Sequence, residues 1–286
     1  MEPTIMKQVQ ANGLNFQLAI WEGDGLNILG IHGLTANCRS FDTVAEAISP
    51  THNLIAMDLR GRGFSDKPAE GYSISHHCRD IKHILSELGL SRVVLMGHSL
   101  GAAIALNFAS ENPEIVQGVI LVDGGGALSE EQTDKVMEGI KPTVERVGKV
   151  FSDFQEYVSP LMNAPTLQPW NETLENYFRY ETIQTSEGVM SRIRPENIQE
   201  ELENLIETDI RETYPKIKSP VLILRATLGM LDKDDLLLPR ETTRNMQESI
   251  PNAKVVDVPG TNHYTILLHQ SRERDEAILS FLRDDM

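Results

Sequence analysis

One stretch constrains the fold of this chain more than any other: Arg92-Val93-Val94-Leu95-Met96-Gly97-His98-Ser99-Leu100-Gly101-Ala102-Ala103. Its first half is nearly all apolar, as a strand buried on both faces of a parallel sheet must be. Its continuation, Leu100 to Ala109, is small and apolar, which suits a helix packed deep against that sheet. Between them, Gly97 to Gly101 matches the pattern G-x-S-x-G. Such a turn carries the serine on a tight, strained corner with its oxygen projecting above the sheet. The corner brings neighbouring backbone very close, so glycine two before and two after the serine removes the clash. The competing reading is a turn that is only structural. The strand before and the helix after favour a nucleophile at Ser99.

The rest of the chain supplies the sheet that this corner needs. Met6 to Ala11 and Leu14 to Trp21 read as strands joined at Asn12-Gly13, a strong hairpin dipeptide. Further strands are predicted at Leu26 to Ile31, Leu54 to Asp58, Arg92 to Gly97, Val119 to Val122, Val221 to Leu224 and Lys254 to Val258. Helices are predicted at Ser40 to Ile48, Ile74 to Leu88, Leu100 to Ala109, Arg240 to Ser249 and Arg272 to Leu282. This alternation implies an α/β fold with a mostly parallel twisted sheet and helices on both faces. Residues 127–216 break the pattern and read as mostly helical. The expected organisation is one core domain, 1–126 with 217–286, interrupted by a helical insertion at 127–216. The 286 residues suffice for both.

Charge and cysteine content narrow the function classes. A formal net charge of -16 repels phosphate backbones and anionic lipid heads, so neither nucleic acid nor membrane is an expected partner. It also disfavours polyanionic substrates unless a local basic patch exists. No apolar run reaches the roughly 20 residues of a membrane helix. Met1-Glu2-Pro3-Thr4 lacks the basic and apolar stretch of a signal peptide, so a cytoplasmic location is expected. The two cysteines, Cys38 and Cys78, suggest neither a disulfide framework nor a zinc site; both read as packed or surface thiols. The sequence leaves the oligomeric state open.

A serine hydroxyl needs a base, and eight histidines are available. His263 follows the last predicted strand through Val258-Pro259-Gly260-Thr261-Asn262, which sets it on a loop at the carboxyl edge of the sheet, on the side of Ser99. His76, His77 and His83 lie in a helical pattern and read as surface or packing residues. His32 and His98 flank turns and read as loop-shaping hydrogen bonders. The base in turn needs a carboxylate. Asp235 is favoured, on the loop after the Val221 strand and ahead of Leu236-Leu237-Leu238-Pro239. Asp232 on the same loop comes next. Asp123, at the end of an earlier strand, is the outside candidate, with capping of Gly124-Gly125-Gly126 as its alternative role. The amides of Leu100, at the helix start, and Leu34, after Ile31-His32-Gly33, are the expected oxyanion donors.

Together, His32-Gly33, the run Asp58-Leu59-Arg60-Gly61-Arg62-Gly63-Phe64-Ser65, the serine pentapeptide and Gly260-Thr261-Asn262-His263 resemble the α/β-hydrolase superfamily. The likeness is to its capped esterase, lipase and carbon-carbon hydrolase branch. It implies that the second motif shapes a turn behind the active site and that the insertion is a helical cap over the pocket. Phe151, Phe154, Tyr157, Trp170, Tyr177, Phe178 and Tyr180 fall in that insertion. They either line an apolar acyl or aryl site or pack the cap. Ser99 separates the chain from epoxide hydrolases and haloalkane dehalogenases of this fold, which carry aspartate there. The expected reaction is cleavage of uncharged carboxylic esters of small or medium size through an acyl-enzyme, with no cofactor and no metal. A carbon-carbon hydrolase or lactonase with the same triad is the alternative, and a hydrolase-like ligand-binding receptor module is a third reading.

Overall fold

The hairpin dipeptide Asn12-Gly13 starts the architecture. Asn12 and Gly13 take φ of 48° and 77° in the computed structural model, joining β1 (Ile5–Ala11) to β2 (Leu14–Trp21) in antiparallel register. The structure describes residues 1–231 and 235–286. After the hairpin come β3 (Asn27–Ile31), α1 (Asp42–Ile48), β4 (Asn53–Met57), α2 (Ile74–Glu87), β5 (Val93–His98), α3 (Leu100–Glu111) and β6 (Val116–Val122). After residue 216 follow β10 (Val221–Ala226), α8 (Arg240–Ser249), β11 (Ala253–Val258), α9 (Thr265–Leu268) and α10 (Arg272–Asp284). The eight-stranded sheet runs β1-β2-β4-β3-β5-β6-β10-β11. From β4 through β11 every pairing is parallel.

Period-two alternation divides the strand side chains between two cores. Leu29, Ile31, Val93 and Leu95 face α2 and α3, while Ile28, Val94 and Met96 face α1 and α10. All six residues of β5 are buried, as its apolar sequence requires. The helix that follows can approach only because of its glycines. A Cβ on Gly101 would stand 2.0 Å from the Ile31 carbonyl oxygen, and one on Gly97 would stand 2.1 Å from the Gly101 carbonyl oxygen.

Between β6 and β10 lie α4 (Glu130–Arg146), β7 (Val150–Phe151), α5 (Phe154–Met162), α6 (Glu172–Glu181), β8 (Thr182–Gln184), β9 (Val189–Ser191) and α7 (Pro195–Glu207). The helical reading of this segment omits a small antiparallel sheet, ordered β7-β9-β8. Its strands are only two or three residues long, too short for a recognisable alternation. The segment has its own apolar centre around Tyr157, Leu174, Tyr177 and Phe178.

Buried polar contacts fasten this segment to the sheet domain. Glu201 of α7 accepts from His77 Nε2 at 2.9 Å and pairs with Arg62 Nη2 at 2.8 Å, and all three side chains are buried. Tyr180 donates to Asp58 Oδ2 at 2.7 Å. Asp58 also accepts the amides of Cys38 and Phe64, and Arg60 pairs with Asp80 at 2.6 Å through each of two nitrogens. The Asp58–Ser65 motif is therefore a polar hub behind the carboxyl end of the sheet. Losing one member of such a buried pair typically costs about 3–5 kcal/mol, because the remaining charge is left without a partner. Both cysteines are buried and free.

The close approach of α3 yields a direct test. Gly101→Ala forces a methyl against the Ile31 carbonyl, and we expect a loss of about 2 kcal/mol or more from this overpacking. Urea unfolding monitored by tryptophan fluorescence will show it as a lowered midpoint.

Candidate active site

The corner after β5 places Ser99 in a conformation that costs free energy. Its φ is 56° and its ψ is -121°, a region that L-residues rarely occupy, at a cost of about 1–3 kcal/mol. Burial of β5 and docking of α3 impose the turn. Ser99 lines a cavity of about 1350 Å³ whose walls come from both the sheet domain and the inserted segment.

His263 lines the same cavity from the loop after β11. Its Nδ1 donates to Asp123 Oδ2 at 2.8 Å, and both side chains are buried. An ionised carboxylate only accepts, so the contact puts the ring proton on Nδ1 and leaves Nε2 as the basic nitrogen. Asp123 follows β6 directly with a φ of 43°. Its other oxygen, Oδ1, accepts the Ala226 amide at 3.0 Å at the end of β10. Two neighbouring strand ends thus hold the carboxylate in place.

This corrects the favoured reading of Asp235 as the partner of His263. Asp235 is buried too, but its two oxygens accept the amides of Met230 and Leu231, each at 2.6 Å. It closes the long loop after β10 on itself. Asp232 lies outside the described residues. A signal for Asp123 was present in the sequence, because it ends an apolar strand and precedes three glycines. That composition marks a cramped strand end as well as it marks a cap.

The two histidines that flank turns both bond to backbone. His32 Nδ1 donates to the Gly33 carbonyl at 2.8 Å, and its Nε2 accepts the Leu59 amide at 3.0 Å. Burial drives its pKa down to about 4, so the ring is neutral and can play both roles. The Gly33 carbonyl also accepts the Ala36 amide at 3.2 Å. In a trans peptide the N–H points opposite to the C=O, so this anchoring turns the Leu34 N–H away from His32. Gly33 itself lies against Ser99; a Cβ there would be 3.1 Å from Ser99 Cβ and 3.6 Å from Ser99 Oγ. Arg62 Nε donates to the Leu34 carbonyl at 2.9 Å and fixes the next peptide. Leu34 and Leu100 both line the cavity beside Ser99. His98 donates Nε2–H to the His263 carbonyl at 2.8 Å and stacks on the His263 ring at 4.6 Å. Burial, reinforced by the His263 charge, lowers its pKa to about 3.

Among the aromatics of the insertion, Phe151, Tyr157, Tyr177 and Phe178 line the cavity. Trp170 stacks on Phe178 at 5.6 Å, Phe154 lies under the Arg179 guanidinium at 4.1 Å, and Tyr180 faces Asp58. Both readings of these residues therefore apply, each to a different subset. Among the described residues no cluster of side chains is arranged to hold a metal ion, and no helix is long and apolar enough to cross a membrane.

The depressed pKa values give a pH dependence with a definite sign. His32 and His98 bind a proton near pH 6.5 when unfolded but only near about 4 and about 3 when folded. The unfolded state therefore holds more protons between those limits. Stability is fully present above pH 6.5 and falls as the pH drops toward 4 and then 3. Urea unfolding between pH 7.5 and 4.5 should show this decline, and His32→Gln should flatten its slope while lowering stability at pH 7.5.

The site can be set beside known proteins. Residues 27–270 match the family model described as alpha/beta hydrolase fold. The 2-(acetamidomethylene)succinate hydrolase of Mesorhizobium japonicum is 26% identical over 244 residues, which is 85% of this chain and 83% of that protein. A crystal structure of E-2-(acetamidomethylene)succinate hydrolase superposes with a TM-score of 0.83 at 23% identity, covering 97% of this chain and 98% of the other. An esterase from Exiguobacterium antarcticum superposes with a TM-score of 0.71 at 21% identity, over 99% of this chain and all (100%) of that one. The chain belongs to the α/β-hydrolase family.

Proposed function

We propose that this chain is a serine hydrolase that cleaves small carboxylic esters by two-step acyl transfer. The observation that carries the reading is the 2.8 Å contact between Asp123 and His263 Nδ1, on a ring that shares a cavity with the strained Ser99. In the first step Ser99 Oγ attacks the ester carbonyl carbon while His263 Nε2 takes the hydroxyl proton. The carbonyl π electrons move onto oxygen, and the amides of Leu34 and Leu100 receive that oxyanion. The oxyanion then collapses, the bond to the alkoxy oxygen breaks, and His263 returns the proton to the leaving alcohol. In the second step water attacks the acyl-enzyme with His263 again as base, releasing the acid and restoring Ser99. Asp123 keeps the imidazole in the useful tautomer and stabilises its charged form.

Residues 127–216 act as a cap in this scheme. They supply the outer wall of the cavity and keep bulk water from the oxyanion, which strengthens each hydrogen bond made there. No cofactor enters the chemistry. A second reading keeps the same residues and changes the scissile bond to an amide or a carbon-carbon bond. The name of the 26% identical relative favours it, since that substrate carries an acetamido group.

The test is a set of three variants assayed on p-nitrophenyl acetate. Ser99→Ala should abolish hydrolysis with an unchanged unfolding midpoint. Asp123→Asn should lower kcat by about 10³- to 10⁴-fold, as expected when the imidazole tautomer is lost. Asp235→Asn should retain kcat within severalfold. A severe loss in Asp235→Asn together with a mild one in Asp123→Asn would reverse the assignment of the acid.

A further inference from the structure

The inner wall of the cap carries a cation that the reaction scheme does not use. Arg146, at the end of α4, lines the cavity with a side chain only 11% exposed. Its Nε donates to the Tyr157 hydroxyl at 3.0 Å and its Nη2 donates to Glu181 Oε1 at 3.0 Å. Tyr157 also donates to Glu181. These bonds occupy the side edge of the guanidinium and leave the end edge, with Nη1, open. Among the described residues Nη1 has no protein partner, and it is not one of the sealed, orphaned atoms of the interior. The guanidinium plane is held over the rings of Tyr157 and Phe178, at 5.4 and 5.6 Å. Burial works against its charge, but Glu181 and Tyr157 more than offset that cost, so it stays charged.

Tyr177 stands in the same wall. It is 6% exposed, lines the cavity, and packs edge-on against Phe178 at 4.9 Å. Its hydroxyl makes no hydrogen bond to any described residue, nor is it among the sealed orphans. Burial first, and then the Glu181 charge, hold the phenol well above its ordinary pKa, so it remains a donor. A phenol facing a cavity without a protein partner is free to donate to water or to an acceptor on a ligand held there.

The wall lies close to the reacting groups. Tyr264 follows His263, and their rings are 5.6 Å apart. The Tyr264 hydroxyl meets Thr143 Oγ1 at 3.4 Å. Thr143 and Arg146 are three residues apart on α4 and so share a helix face. Of the acidic residues that line the cavity, Glu130, Asp134, Glu145, Glu207 and Asp209 are exposed, and the buried Glu181 is taken up by Arg146 and Tyr157.

We propose that Arg146 Nη1 and the Tyr177 hydroxyl form a carboxylate-binding subsite, so that the enzyme takes substrates bearing a free carboxylate a few bonds from the scissile carbonyl. Both groups have a proton to donate, and the two oxygens of a carboxylate supply acceptors for both. The guanidinium is already fixed by Tyr157 and Glu181, so little side-chain freedom is lost on binding. A fixed guanidinium in the cavity wall amends the expectation that the esters are uncharged. The effect on turnover rests on the hydrolase reading above; the capacity to bind a carboxylate does not.

Two measurements test it. In the first, glutarate is titrated calorimetrically into the Ser99→Ala protein. Binding is expected, weakened about tenfold or more by Tyr177→Phe or Arg146→Gln in that background, the effect of losing a hydrogen bond to a charged group. Tyr177→Phe keeps the ring, so the test stands even if Arg146→Gln fails to fold. In the second, mono-p-nitrophenyl glutarate and p-nitrophenyl valerate are compared by kcat/KM. The acid ester should be favoured about tenfold or more, and the ratio should fall toward one in Tyr177→Phe. No glutarate binding, binding that both variants leave intact, or preference for the neutral ester would overturn the subsite. Loss of activity in Ser99→Ala without glutarate binding would sink the subsite and spare the hydrolase reading. Glutarate binding with an active Ser99→Ala protein would do the reverse.

Discussion

The corner after β5 is the constraint on which the remaining geometry depends. A buried parallel strand must turn sharply into a helix that lies almost in contact with the neighbouring strand end, and only a chain without Cβ atoms at Gly97 and Gly101 can do so. The free energy held in the Ser99 backbone is balanced by burial of β5 and α3, both of which are almost wholly enclosed. The serine therefore cannot relax without undoing the core. Preorganisation of this kind is what the proposed nucleophile requires, since its oxygen is held in one position in advance.

Around that corner the site is assembled from strand ends. Asp123 sits at the end of β6, braced by the end of β10, and His263 comes from the loop after β11. Two neutral, deeply buried histidines finish the arrangement. His32 turns the Gly33–Leu34 peptide, and His98 supports the His263 backbone. Neither is suited to carry a proton at neutral pH, because burial has removed their basicity. His32 uses one donor and one acceptor of a rigid ring, whereas His98 uses only its Nε2 donor. The inserted segment is bound to this frame by Glu201 and Tyr180, and Arg62 contacts both Glu201 and the Leu34 carbonyl. The wall of the cavity and the loop beside Ser99 therefore share a single buried cation.

Much of this was legible in the amino-acid sequence. The Asn12-Gly13 hairpin, the apolar β5 strand and the small-residue α3 helix each follow from short-range stereochemistry, and each predicted strand overlaps an observed one. The small β7-β9-β8 sheet was not legible, since strands of two or three residues carry no periodicity. Which carboxylate meets His263 was not legible either. Asp123 directly ends a strand and Asp235 lies on the loop after a later one, and the run Leu236-Leu237-Leu238-Pro239 favoured the later one. Asp235 instead satisfies the Met230 and Leu231 amides of its own loop.

What the sequence determined alone was therefore local: the alternation of strand and helix, the strained serine turn, and a histidine on the loop after the last strand. These depend on residue size, backbone freedom and periodicity, which act between near neighbours in the chain. Tertiary structure decided which carboxylate meets the imidazole, which aromatics face the cavity, and that Arg146 keeps one nitrogen free. Those outcomes depend on which groups folding brings together across 35 residues for Arg146 and Glu181, or 140 for Asp123 and His263. Over such separations burial and hydrogen-bond satisfaction, rather than chain order, select the partner.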